Sequence, residues 1–146
     1  MKYIFTCFAV MLLALSACKK ENKQCNDKSE LDGKWRMIKV TDNATGISAT
    51  KPASVQKDVD IQFASTSSTE GNVSGNTPTN TFSAGKFITN TNQSLNIPGF
   101  GITQVMETSW GQIFLNNIFE SKSYSIEENN KLYIKTSESV LSFQKL

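Results

Sequence analysis

Histidine is absent from all 146 residues, and cysteine occurs only three times, at Cys7, Cys18 and Cys25. Without histidine there is no Ser-His-Asp or Cys-His catalytic group, no histidine-ligated zinc and no histidine pH switch. A large excess of one charge is also missing: 15 Lys and Arg stand against 13 Asp and Glu, a net charge of +2. No basic stripe breaks the near-neutral sequence, which excludes nucleic acid as an expected partner. Long apolar runs are lacking except for one at the N-terminus. That run, Tyr3 to Ala14 behind the single positive residue Lys2, is too short for the ~18–20 residues of a bilayer span, and no stop-transfer pattern follows it.

What is there begins at that run. It closes on Leu15-Ser16-Ala17-Cys18, with small residues where a signal peptidase needs them. The arrangement resembles the lipobox of bacterial lipoproteins, in which the cysteine thiol is acylated and becomes the mature N-terminus. The resemblance implies a signal peptide over residues 1–17, lipidation of Cys18 and residence in the bacterial cell envelope. Lipoproteins of this kind carry three acyl chains, and two or more already anchor a protein durably. Lys19, where inner-membrane retention calls for aspartate, points by the same resemblance to the outer membrane.

Loss of residues 1–17 removes Lys2 and no acidic residue, leaving 129 residues with a net charge of +1. That is one domain, long enough to bury a core. Cys7 leaves with the signal and Cys18 takes the lipid, so Cys25 has no intrachain partner and stability must come from packing. Residues 18–30 are polar without periodicity and read as a flexible, solvated tether; Lys19, Lys20 and Lys23 sit beside the lipid anchor, but Glu21 and Asp27 interrupt the basic run that anionic headgroups would attract. The domain is expected over 31–146.

Within it, Lys34 to Val40 alternates loosely, whereas Val59, Ile61 and Phe63 alternate strictly with Asp58, Asp60 and Gln62, the pattern of a half-buried strand. Residues 41–57 read as a long loop with room for one short element. Further strands are expected over Val73–Asn76 and Asn80–Thr89, separated at Thr77-Pro78, and over Ser94–Val105 with a bend at Pro98-Gly99. Met106, Trp110, Ile113, Phe114 and Ile118 then recur at helical steps, and Ser109 with Gln112 matches a capping box. A short helix at about 109–119 follows. Ser123–Glu127, Lys131–Thr136 and Val140–Lys145 complete the chain as a three-stranded meander turning at Glu128-Asn129-Asn130 and Ser137-Glu138-Ser139. The expected fold is mainly β (α+β): a curled antiparallel sheet or small β-barrel of about 7–8 strands covered by one short α-helix.

Gly33-x-Trp35, the strand ending at Phe63, Gly75, the stretch Asn80-Thr81-Phe82-Ser83-Ala84-Gly85-Lys86-Phe87, and Ile102-Thr103-Gln104-Val105-Met106 follow one another in a telling order. This order resembles the META-domain, or HslJ-like, family of bacterial lipoproteins over roughly residues 31–146. The resemblance implies a β-rich domain with one helix and a link to envelope stress and drug tolerance, and it implies little about activity. Thr79 and Glu107 stand where the family often has cysteines, so no cysteine chemistry carries over. A lipocalin-like barrel, which also begins Gly-x-Trp, is the competing fold and implies a carrier of an apolar small ligand.

The candidate sites are few. Asp58 and Asp60 have the spacing to share a hard cation, but without convergent partners they read as a solvated strand face. Glu107 and Glu120 flank the helix and would form an acid–base pair only if the fold brought them together. Pro98-Gly99-Phe100-Gly101 lacks the pattern of a phosphate loop and reads as a bend. Asn72-Val73-Ser74 and Asn92-Gln93-Ser94 match glycosylation sequons as common residue types will. Trp35, Phe82, Phe87, Phe100, Trp110 and Phe114 read as core, with Phe100 the most exposed. No cofactor, metal ligand or catalytic residue is expected; partners are the membrane, through lipid, and an envelope protein or small apolar ligand.

Overall fold

The computed structural model describes residues 28–128 and 130–146. Cys18, Cys25, the expected signal peptide over 1–17 and most of the expected tether lie outside them. Ten strands and one helix form: β1 (Gly33–Asp42), β2 (Ser48–Thr50), β3 (Asp60–Ser65), β4 (Glu70–Asn76), β5 (Thr81–Thr89), β6 (Leu95–Asn96), β7 (Gly101–Ile102), α1 (Ser109–Ile118), β8 (Ser121–Glu127), β9 (Lys131–Thr136) and β10 (Ser139–Lys145). Eight of the strands hydrogen-bond side by side in the order β6-β5-β4-β3-β1-β10-β9-β8, all antiparallel, while β2 adds to β1 and β7 to β5. The two ends of this sheet meet through a single bridge between Ser94 and Ser123 and the Tyr124 N–H donating to the Gln93 carbonyl at 2.9 Å. The sheet is therefore a nearly closed barrel.

Alternation builds its interior. Ile61 and Phe63 of β3, Val73 of β4, Phe82 and Phe87 of β5, Leu132 and Ile134 of β9, and Leu141 and Phe143 of β10 are all buried with Trp35 of β1 in one cluster. Side chains thus occupy the barrel, as close packing requires. The Phe63 and Phe87 rings meet edge to face at 5.2 Å. In β1 the register slips between Met37 and Lys39, so that Ile38 bulges outward. The slip explains the loose alternation of this segment: Trp35 and Met37 face inward before it, and Val40 takes that face after it.

Residues 41–57 hold the short element expected there, β2, folded back on β1. The segment 94–105 is less regular than a bent strand, forming only two two-residue strands on either side of the Pro98-Gly99 bend. The barrel also takes up residues that the sequence assigns to the tether. Ser29 is buried with its N–H donating to the Ser65 hydroxyl at 3.2 Å, and the Glu30 carboxylate accepts from the Tyr124 hydroxyl at 2.8 Å.

The helix buries Trp110, Gly111, Phe114 and Ile118 against the barrel. Two details differ from the expected cap. Thr108, not Ser109, is the N-cap, its hydroxyl accepting from the Gly111 N–H at 3.2 Å. Met106 precedes the helix and is 92% exposed, so it does not share the apolar face.

Candidate functional site

The expected site residues fall into three separate places. Asp60 is not on a solvated face: it is buried and receives Arg36 in a fork, Nε to Oδ1 at 2.9 Å and Nη2 to Oδ2 at 3.2 Å. Register places them together, because Arg36 of β1 pairs directly with Asp60 of β3. Asp58 lies before that strand and is held by Arg36 at 3.2 Å and Lys51 at 2.6 Å. Cationic side chains fill the space a metal ion would need, and no cluster of three or more His, Cys, Asp or Glu forms among the described residues. Burial alone would raise the Asp60 pKa, but the hydrogen bonds and charge of Arg36, helped by Lys34, hold it below the ordinary carboxylate value.

That shift has a sign. A carboxyl group more acidic in the folded than in the unfolded chain stabilises fully above the unfolded value and loses its contribution as pH falls through the folded one. The Glu107 pKa is lowered likewise. The melting temperature is therefore expected to decline below about pH 4. Asp60→Asn should melt lower than the native chain at pH 7, fall less steeply in acid and converge with it near pH 2. Melting curves that stay parallel across this range would contradict the assignment.

Glu107 and Glu120 are not brought together. They lie beyond opposite ends of α1, whose ten residues alone span about 15 Å. Paired glycosidase carboxyls stand only ~5–9.5 Å apart. Glu107 has a different task. The Asn80 side-chain amide donates to it at 2.9 Å, the Thr108 N–H at 2.8 Å, and the Thr77 hydroxyl makes a further short bond. Burial would raise its pKa, but these donors outweigh burial and lower it. Asn80, the asparagine that opens the Asn80–Phe87 stretch, also accepts from Thr103 Oγ1 at 3.0 Å and the Val105 N–H at 2.8 Å. The node ties the β4–β5 turn to the segment entering the helix. Gly111 is part of it, since a Cβ there would collide with the Glu107 carboxylate.

Of the six aromatic candidates, five are buried and only Phe100 is half-exposed, stacked on Phe82 at 4.3 Å. They are packing.

Concave surface lies elsewhere and includes two clefts. One, of about 460 Å³, opens at the barrel seam between Lys28–Glu30, Ser68–Thr69 and Thr89–Gln93. Its lining is mostly hydroxyl and amide groups, with Lys28 and Glu30 as its charged members. Glu30 bridges the seam, accepting from the Tyr124 hydroxyl at 2.8 Å and from Gln93 Nε2 at 3.4 Å. Burial, then the bonded Glu30 and its charge, push the Tyr124 pKa up to about 12.

The other cleft, of about 390 Å³, lies between the β1–β2 hairpin and α1. Val40, Ile47, Ala49 and Ile113 give it an apolar floor; Asp42, Glu138 and Asn117 stand at its polar margin. The helix is fixed to this wall by Asn117, whose Oδ1 accepts from the Ser139 hydroxyl at 2.7 Å. Asp42 holds the hairpin turn through Oδ1, accepting from the Thr45 N–H at 2.7 Å and the Ala44 N–H at 3.0 Å. The first of these bonds above all lowers its pKa, so it is a carboxylate at neutral pH. The sequence reading missed this cleft. Its signals were the broken alternation at Ile38 and the isolated Ile47 in a polar loop, neither of which says what lies across from them.

No protein-family model matches the chain, and no curated protein matches it. Solved structures do. A protein from Burkholderia xenovorans, determined by NMR, superposes with a TM-score of 0.62 at 18% identity, over 80% of this chain and 83% of that one. A DUF4847 family protein from Bacteroides vulgatus ATCC 8482 superposes with a TM-score of 0.57 at 15% identity, over 78% of this chain and 92% of that one. At such identities the likeness is one of fold.

Proposed function

We propose that the protein is a bacterial envelope lipoprotein, held at the outer membrane by acyl chains on Cys18, whose barrel is a binding domain without catalytic activity. The observation that carries this reading is Leu15-Ser16-Ala17-Cys18 at the end of a short apolar run. The domain is consistent with such a role. Its carboxylates Asp58, Asp60 and Glu107 are each engaged by fixed partners, and it carries open clefts at the seam and beside α1. Asn80, which opens one of the stretches that resemble META domains, organises the helix entry. The alternative carrier reading would have to use the apolar floor of the α1 cleft, because side chains occupy the barrel interior.

Fractionation of cells expressing the native chain and Cys18→Ser tests the anchor. The native protein should stay with membranes through high-salt and carbonate washes, as a multiply acylated protein does. The variant should accumulate as uncleaved precursor of higher mass. A variant processed and located like the native chain would refute the reading.

A further inference from the structure

We propose that the α1 cleft is a docking site for an extended, basic segment of a partner protein, which adds as a strand to the open edge of β2. This deepens the reading of the domain as a binding module and rests on it.

Among the described residues, strand β2 pairs with β1 and with no other strand: Thr41 lies opposite Ser48, Val40 opposite Ala49 and Lys39 opposite Thr50. In an antiparallel ladder, bonded and non-bonded pairs alternate. The Asp42 N–H donates to the Ile47 carbonyl at 2.9 Å, and the Thr41 and Ser48 hydroxyls touch at 2.8 Å, as in a close non-bonded pair. Alternation therefore turns the backbone N–H and C=O of Ser48 and Thr50 outward, away from β1. Their side chains, and that of Ala49, are all exposed. An exposed row of this kind is a template for strand addition.

The side chains say what would pair there. Val40 and Asp42 on β1, and Ile47 and Ala49 on the returning chain, recur at steps of two and line the cleft together. A strand added beside β2 would point every second side chain over the same face. That face offers apolar surface, with Ile47 70% exposed, and two carboxylates without any Lys or Arg in the lining. Asp42 spends one oxygen on its turn, and the Glu138 carboxylate has no partner among the described residues. The complementary ligand is an extended peptide whose alternate residues are apolar and cationic.

The test is calorimetric titration of the full-length protein in mild detergent. The probe is an end-blocked heptapeptide with threonine at even positions and lysine, valine, valine, lysine at odd ones. It should bind saturably below about 1 mM. Glutamate in place of both lysines should weaken binding at least about tenfold, and Glu138→Gln about three- to tenfold. Ser48→Pro removes one outward N–H, which an edge strand tolerates, and should weaken binding at least about tenfold without lowering the melting temperature. Should Ser48→Pro disturb the hairpin, N-methylation of alternate peptide amides delivers the same block on the native protein. Absence of binding, equal binding of the glutamate peptide, or indifference to N-methylation on both registers would each overturn the proposal. So would a self-association through β2 that the peptide fails to disperse. None of these results touches the acylation of Cys18, which is measured separately.

Discussion

Replacing Trp110 by alanine is expected to destabilise the domain by about 3–5 kcal/mol, the range for deleting a fully buried large aromatic. For a domain of this size that lowers the melting temperature by roughly 10–20 °C. Trp110 is 1% exposed and occupies the first turn of the only helix among the described residues, so its loss empties the contact that seats α1 on the barrel. One feature sharpens the expectation. The Trp110 indole Nε1 is buried and makes no hydrogen bond among the described residues. A buried donor left unpaired costs about 1–3 kcal/mol. Trp110→Phe removes that unpaired group along with part of the ring, so the two effects oppose each other and the net change should stay within about 1 kcal/mol. Chemical denaturation of both variants separates the outcomes. A phenylalanine variant as damaged as the alanine one would mean that the indole N–H is satisfied after all.

Asn80→Ala should be nearly as severe, at about 3–4 kcal/mol. Asn80 is buried, and its amide serves the Val105 carbonyl and the Glu107 carboxylate at 2.9 Å each, while its oxygen serves Thr103 and the Val105 N–H. Alanine leaves a partly buried carboxylate and both backbone groups of Val105 short of partners, each at about 1–3 kcal/mol, less what water restores. Asn80→Asp keeps the shape but sets a second negative charge against Glu107, and should cost at least as much as alanine at pH 7. Its penalty should shrink as acid protonates the pair. Equal stability of the native and alanine chains would show that the node does not hold the helix entry.

The architecture was legible wherever one rule governed a segment. Strict alternation placed Ile61 and Phe63, Leu132 and Ile134, and Leu141 and Phe143 on inward faces, and three- and four-residue steps placed Trp110, Phe114 and Ile118 on one helix face. The rest depended on partners distant in sequence. Alternation put Asp60 on the polar side of its strand; only the register that sets Arg36 opposite makes its burial tolerable. Thr108 and Ser109 offer the same hydroxyl chemistry, and a capping-box spacing favours Ser109. The cap falls on Thr108 because Glu107 is anchored to Asn80 and Thr77 across the β4–β5 turn. The α1 cleft was hidden for the same reason. Its residues come from β1, β2, the helix and the β9–β10 turn, and no local spacing joins Ile47 to Ile113 or Glu138.

Acylation of Cys18 is the step on which the proposed membrane anchoring depends, and it is tested most directly by chemistry. The protein extracted from membranes is digested with trypsin, and its N-terminal peptide is identified by mass spectrometry. The expected peptide begins at Cys18 and ends at Lys19, with a diacylglyceryl group on the cysteine sulfur and a fatty acyl chain on its amine. A peptide carrying an unmodified Cys18, or one that begins at Met1, would contradict the claim that lipid holds this barrel at the envelope.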